Sequence, residues 1–258
     1  MKRSDAKDLL SGEFGRQMMA AMSSYVIPVY WGTRDQNSVW TVENSGSAFA
    51  ISFGADPILV TASHVIESYL QRCRETKEIQ FGLGPLNFDP LERRIDFRDS
   101  CVLDIATFRI TQEELASIGK HAAVESAPFW PPEPANVGEG AIFGGFPGRE
   151  RVPLPCQTIS FGFYFGLSPV SSSSERHFGC NFDRNEWVDI LGVELPPDGY
   201  DLGGLSGGPC FIYHESPSGI ISWRLGGIIY NATTTIGEIV LAHHSSFILP
   251  TGYLREPI

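Results

Sequence analysis

The chain has 258 residues, of which 42% are hydrophobic and 19% charged, with a formal net charge of −11 at pH 7. That is enough chain to bury a sizeable core, as one large domain or two small lobes. The negative balance argues against a nucleic-acid partner, which needs clustered Lys and Arg. No apolar run approaches the roughly 18 residues that span a bilayer, so no membrane partner is expected either. The opening MKRSDAKDLLSGEFGRQ carries charges where a signal peptide would need its apolar segment, and the expected location is cytoplasmic.

In chain order, the first element is predicted over residues 1–24. Leu10, Phe14, Met18 and Met22 recur every four residues behind Ser4 as an N-cap, which predicts one amphipathic helix packed on the main body or docked on a partner. The pattern then changes to short β-rich segments: YVIPVYW, SAFAISF, PILVTA, EIQFGL, CVLDIATFRI, AIFGGF, TISFGFYFGL, WVDILGVEL, CFIYH, LGGIIYN and SFILP. Gly, Pro, Asp or Ser separates most of them, and their number suits two small barrels. The stretch HAAVESAPFWPPEPANVGEG, residues 121 to 140, reads as the linker, because Pro131, Pro132 and Pro134 cannot extend a central strand. The chain then divides into residues 1–24, 25–125 and 126–258.

Cys73, Cys101, Cys156, Cys180 and Cys210 are odd in number and lack metal-ligand spacing, so neither a metal site nor a disulfide framework is expected. All five are expected to be free thiols.

Three short blocks carry chemistry. TASHV places His64 after an apolar stretch, LDIATFRI places Asp104 at the head of another, and GGLSGGPCF surrounds Ser206 with glycines. Each alone has an ordinary structural explanation: a core histidine, a turn-capping aspartate, a Gly-rich turn. Together they supply a nucleophile, a base and a carboxylate that fixes the tautomer of the base, in the order His, Asp, Ser. These blocks resemble the TAAHC, DIALL and GDSGGP blocks of the chymotrypsin-type serine peptidases, over about residues 25 to 255.

The resemblance implies an all-β fold of two six-stranded antiparallel β-barrels, with the N-terminal helix as an addition. His64 and Asp104 would sit in the first barrel and Ser206 in the second. It implies an intracellular, bacterial-type serine endopeptidase acting on a polypeptide substrate. Ser206 would be the acyl-forming nucleophile, His64 the general base and Asp104 its orienting carboxylate. The Gly204 and Ser206 N–H groups would form the oxyanion hole, with no metal or organic cofactor. Tyr230, Asn231 and Ala232 align with the family's substrate-binding strand. Tyr200 takes the place of the aspartate six residues before the serine that selects basic side chains, with Asp201 beside it. A tyrosine there favours small or medium uncharged side chains before the cut. Asp201 would restore basic specificity, and His243 or His244 would favour acidic residues.

Leu205 stands where animal digestive members carry the aspartate that pairs with a new N-terminus, so activation by that ion pair is not expected. The family's disulfides beside the histidine and around the serine loop are also missing. GLSGG fits the nucleophile elbow of α/β-hydrolases too, with Glu215 or Glu238 and then His243 as partners, but only 52 residues follow Ser206. Two other readings stay open: a catalytically silent peptide-binding scaffold, and a protease gated by a regulatory protein partner.

Overall fold

The computed structural model describes residues 3–34, 40–76, 78–126, 129–154, 159–191, 195–197, 199–215, 218–234 and 238–256. The expected N-terminal helix is divided into α1 (Arg3–Ser11) and α2 (Glu13–Ser23) by Gly12, whose ψ of −159° is extended. The break falls on Ser11 and Gly12, both weak helix formers. The Ser11 hydroxyl donates to the Asp8 carbonyl at 3.0 Å, at the last turn of α1. The break divides the expected apolar stripe: Met22 is buried and Met18 packs beside it, whereas Phe14 is 44% exposed.

The first sheet comprises β1 (Val26–Arg34), β2 (Trp40–Ser52), β3 (Ile58–Thr61), β4 (Ile79–Leu83), β5 (Leu86–Asn87), β6 (Arg94–Phe97), β7 (Ala106–Arg109) and β8 (Ala122–Val124). Its order is β5-β4-β1-β2-β3-β7-β6, antiparallel throughout, with β8 added parallel to β2. A separate hairpin pairs β10 (Arg151–Pro153) with β11 (Ile159–Phe161). The second sheet comprises β9 (Gly140–Gly145), β12 (Tyr164–Pro169), β13 (Ser172–Ser173), β14 (His177–Asn181), β15 (Pro209–Glu215), β16 (Ile221–Thr233) and β17 (Ile239–His244). Its order is β12-β9-β15-β16-β17-β14-β13. The protein is mostly β, with two curled antiparallel sheets and few helices. The pairing in each sheet is an open path among the described residues, so the sheets form two curled half-barrels, compatible with the expected all-β fold.

Val, Ile, Phe and Trp supply the β-branched and aromatic bodies that suit a half-buried pleat. One core lies inside the first sheet, with Val29, Leu59, Phe81 and Phe108, and a second inside the other sheet, with Phe143, Phe178, Leu202 and Ile212. A third mixes residues of both, with Phe49 and Ile51 from β2 against Ile142, Phe211 and Ile228. This shared core brings the two sheets together.

Two predicted strands are absent among the described residues, and part of the first of them, residues 192–194, lies outside those residues. Trp187–Leu191 is irregular, because Trp187 turns its ring edge-on to Tyr164 and beside Phe182 while Asp189 caps the Leu191 N–H at 3.1 Å. In the SFILP segment a single 3-10 turn (Ser245–Phe247) forms, its first hydroxyl donating to the Leu225 carbonyl at 2.6 Å. Conversely β14 and β17 form where no strand was expected. The expected linker, residues 121 to 140, contains β8 just after its start. Trp130 is buried within that linker, its indole N–H donating to the Ile248 carbonyl at 2.6 Å.

Cys73, Cys101, Cys180 and Cys210 are free, and Cys156 lies outside the described residues. Among the described residues no cluster of His, Cys, Asp or Glu could hold a metal ion, and no helix is long and apolar enough to cross a membrane.

Candidate active site

His64 occupies the first turn of α3 (Ser63–Glu75), directly after β3. A helix start leaves backbone N–H groups without intrahelical partners, and Ala62 at the N-cap offers no side-chain acceptor. Asp104 supplies one: its Oδ1 accepts from the His64 backbone N–H at 2.9 Å. The same carboxylate's Oδ2 lies 2.6 Å from His64 Nδ1. Asp104 is 5% exposed, so the pair is shielded on the carboxylate side, while the imidazole remains open to the cleft. The loop ahead of Asp104 is tied to the same helix, because Glu67 accepts from the Ser100 N–H at 2.9 Å and from its hydroxyl at 2.6 Å. Burial works against the charged imidazole, but the Asp104 hydrogen bond and charge, with Glu67, outweigh it and raise the His64 pKa above the usual 6.5.

Ser206 lies in a tight loop between Leu202 and β15. Leu205 is fully buried in the core of the second sheet and anchors the loop by apolar contact, worth about 2 kcal/mol. Gly204 (φ +106°) and Gly207 (φ +88°) adopt left-handed backbone that other residues resist. Ser47 of β2 clamps the loop from the other sheet. Its hydroxyl donates to the Gly204 carbonyl at 2.7 Å and accepts from the Phe146 N–H at 2.9 Å, and its N–H donates to the Ser206 carbonyl at 2.9 Å. The Gly148 N–H holds the Gly203 carbonyl at 2.7 Å. With the carbonyls taken, the N–H groups of Gly204 and Ser206 have no hydrogen-bond partner among the described residues.

A Cβ at Gly207 would press into the Ser47 carbonyl and Thr61 Oγ1. Gly207→Ala is therefore expected to cost about 3 kcal/mol and lower the melting temperature by roughly 10 °C, measured by thermal denaturation.

His64 and Ser206 share a cleft of about 330 Å³ that also receives Gly204, Asp201, Arg149 and Arg151. The Ser206 hydroxyl points to the Tyr230 carbonyl at 3.4 Å. Tyr230 sits at a bulge in the β16–β17 ladder, between the pairs Ile229↔Ala242 and Asn231↔Leu241. Strand β15 pairs with β16 only as far as Ile228, so Tyr230, Asn231 and Ala232 have no strand partner on the side away from β17 among the described residues. That edge can accept an extended peptide as an added strand.

Tyr200 and His243 do not line this cleft. Tyr200 is 4% exposed and its hydroxyl donates to Glu150 Oε1 at 2.6 Å, so it has no free hydroxyl to offer. Asp201 does line the cleft, with Oδ1 accepting from the Gly203 N–H at 2.8 Å. His243 lies behind the aspartate: its Nε2 accepts from the Asp104 N–H at 3.3 Å and its Nδ1–H donates to the Arg176 carbonyl, also at 3.3 Å. Its ring stacks on Tyr230 at 4.3 Å, joining the Asp104 loop to the edge strand. Burial pushes its pKa down, which keeps it neutral and able to accept. His244 is buried, with Nε2 at 2.8 Å from the Ser174 carbonyl. Sequence reasoning missed Ser47 and the paired arginines. Ser47 gives no local signal, but Arg149 and Arg151 flank the turn in FPGRER, where charge directly follows a glycine-rich strand end.

No family model and no curated protein matches the chain. Many solved structures are similar to this chain; one of them is similar over 86% of this protein and 87% of its own length, with 14% identity and a TM-score of 0.43. It comes from work on aromatic interactions in the coupled folding and binding of the intrinsically disordered Sesbania mosaic virus VPg protein. A likeness that loose carries no functional weight.

Proposed function

We propose that the protein is a serine endopeptidase of the chymotrypsin type, with two barrel-like lobes and its active site in the cleft containing His64 and Ser206. The observation that carries this reading is the two-point attachment of His64 to buried Asp104 beside the cleft that holds Ser206. An isolated core histidine needs no such partner, and a turn serine needs no base.

In the proposed reaction His64 Nε2 removes the Ser206 hydroxyl proton as Oγ attacks the scissile carbonyl. The carbonyl oxygen becomes negative and is met by the Gly204 and Ser206 N–H groups, each worth roughly 3 to 4 kcal/mol in the transition state. Imidazolium then gives its proton to the leaving amine as the C–N bond breaks. Water, deprotonated by His64, cleaves the acyl ester and restores the serine. Asp104 keeps the proton on Nδ1 and stabilises the imidazolium. The substrate lies extended along Tyr230–Ala232, and no cofactor takes part. Buried Leu205, the Ser47 clamp and the Gly148 contact hold the oxyanion loop without the ion pair used by animal digestive enzymes.

A fluorophosphonate probe tests the reading, since it esterifies only a serine that has a functioning base and oxyanion hole. Stoichiometric labelling mapped to Ser206 by mass spectrometry is expected; no labelling of the folded protein would favour a silent scaffold. One observation favours a gated form of the same enzyme: the Ser206 hydroxyl faces the Tyr230 carbonyl. Catalysis needs it rotated to His64, and a regulatory partner or the substrate itself would supply that rotation. Labelling that appears only after peptide substrate is added would identify the gated form.

A further inference from the structure

Arg149 and Arg151 line the cleft that holds His64 and Ser206, in a chain whose net charge is −11. Arg72, Arg93, Arg98 and Arg224 each pair with a carboxylate. The two cleft arginines do not, among the described residues. Arg151 Nη1 donates to the Ser45 hydroxyl at 3.3 Å, and the Arg149 guanidinium lies over the Tyr200 ring at 5.8 Å. The nearby carboxylates have other work: Glu150 receives the Tyr200 hydroxyl, and Asp201 accepts from the Gly203 N–H. Arg151 is partly buried, and burial lowers its pKa with no carboxylate to offset the loss of water. A part-buried guanidinium in this state gains most from an incoming anion.

The chemistry identifies the side of the cleft. His64 must hand its proton to the leaving amine, so the leaving segment passes on the His64 side of Ser206. The free edge at Tyr230–Ala232 is not part of the lining, whereas His64, Val65 and Ser68 of α3 are, together with both arginines. Resting on the peptidase reading, we infer that Arg149 and Arg151 form a subsite for a carboxylate on the leaving segment, carried by one of the first two residues after the cut. Two planar forks can grip a carboxylate bidentately and set the register of that segment.

The test uses product-like tripeptides with a free amino end, Glu-Glu-Ala-amide and Gln-Gln-Ala-amide, titrated into the protein by nuclear magnetic resonance at low salt. The acidic peptide is expected to bind about tenfold more tightly to the wild type. That ratio should fall to about one in the Arg149→Gln/Arg151→Gln protein. The Arg149→Lys/Arg151→Lys protein should keep part of it, since charge is retained and the fork is lost. Gln-Gln-Ala with a free carboxyl end is the third arm. If only this peptide gains affinity, the carboxylate bound is that of a chain terminus on the third residue, and the inference is overturned. Equal wild-type binding of all three peptides, or a ratio that persists in the glutamine variant, overturns the inference. No turnover is needed, so a protein that shows the ratio yet fails to label with fluorophosphonate, with and without added peptide substrate, removes the peptidase reading and leaves the carboxylate subsite standing.

Discussion

Ser206→Ala is expected to abolish peptide hydrolysis, lowering kcat by roughly a millionfold, while the melting temperature stays within about 2 °C of the wild type. The residue is partly exposed and, among the described residues, its hydroxyl makes one hydrogen bond, a long one of 3.4 Å to the Tyr230 carbonyl, so its loss removes little from the fold. The loop is held by its backbone and by Leu205, none of which the substitution touches. The oxyanion N–H groups therefore persist, and a residual rate above that of water should survive. Kinetics on a peptide that the wild type cleaves, beside a thermal melt of both proteins, measures the two halves of the expectation. A folded variant with undiminished hydrolysis would move the nucleophile elsewhere. A collapsed melting temperature would mean that the serine is structural.

Asp104→Asn should lower kcat by about four powers of ten and also move the pH profile, which separates an orienting role from a merely structural one. In the wild type the base must be neutral, so activity falls as the pH drops through the His64 pKa. That pKa is raised because the Asp104 hydrogen bond and charge, aided by Glu67, exceed the opposing effect of burial. The acidic limb is thus expected above about 6.5, the ordinary histidine value. Asparagine keeps an oxygen for the His64 backbone N–H but removes the charge. Burial then dominates, and the limb should shift to lower pH. The amide also favours the tautomer with its proton on Nε2, which cannot accept from Ser206. An unchanged limb with wild-type kcat would show that another carboxylate orients the imidazole.

Most β segments were legible because they depend on local composition: runs of Val, Ile and aromatic residues between glycines and prolines become strands wherever a sheet accepts them. The failures have local causes too. Trp187–Leu191 has strand-like composition, but its tryptophan packs on Tyr164 and Phe182 and takes the segment out of any ladder. In β17 the paired histidines masked the strand, although alternate positions along it, Val240 and Ala242, are buried. The N-terminal helix is legible as an apolar stripe, but Ser11 and Gly12, poor residues for a helix interior, divide it in two.

The sequence by itself determined which chemistry was available: a histidine after a buried strand, an aspartate before another, and a serine among glycines are local patterns, set within a few residues of chain. Only the tertiary structure decided how these are held. Asp104 meets His64 across 40 residues, Ser47 clamps Gly204 across 157, and His243 reaches the Asp104 backbone across 139. It also decided that Tyr200 is consumed by Glu150 and that, among the described residues, Arg149 and Arg151 stand without carboxylate partners in an acidic chain. Such pairings depend on which strands lie side by side and where a bulge releases a carbonyl. Those are properties of how the sheets curl and pack, to which no short stretch of sequence answers.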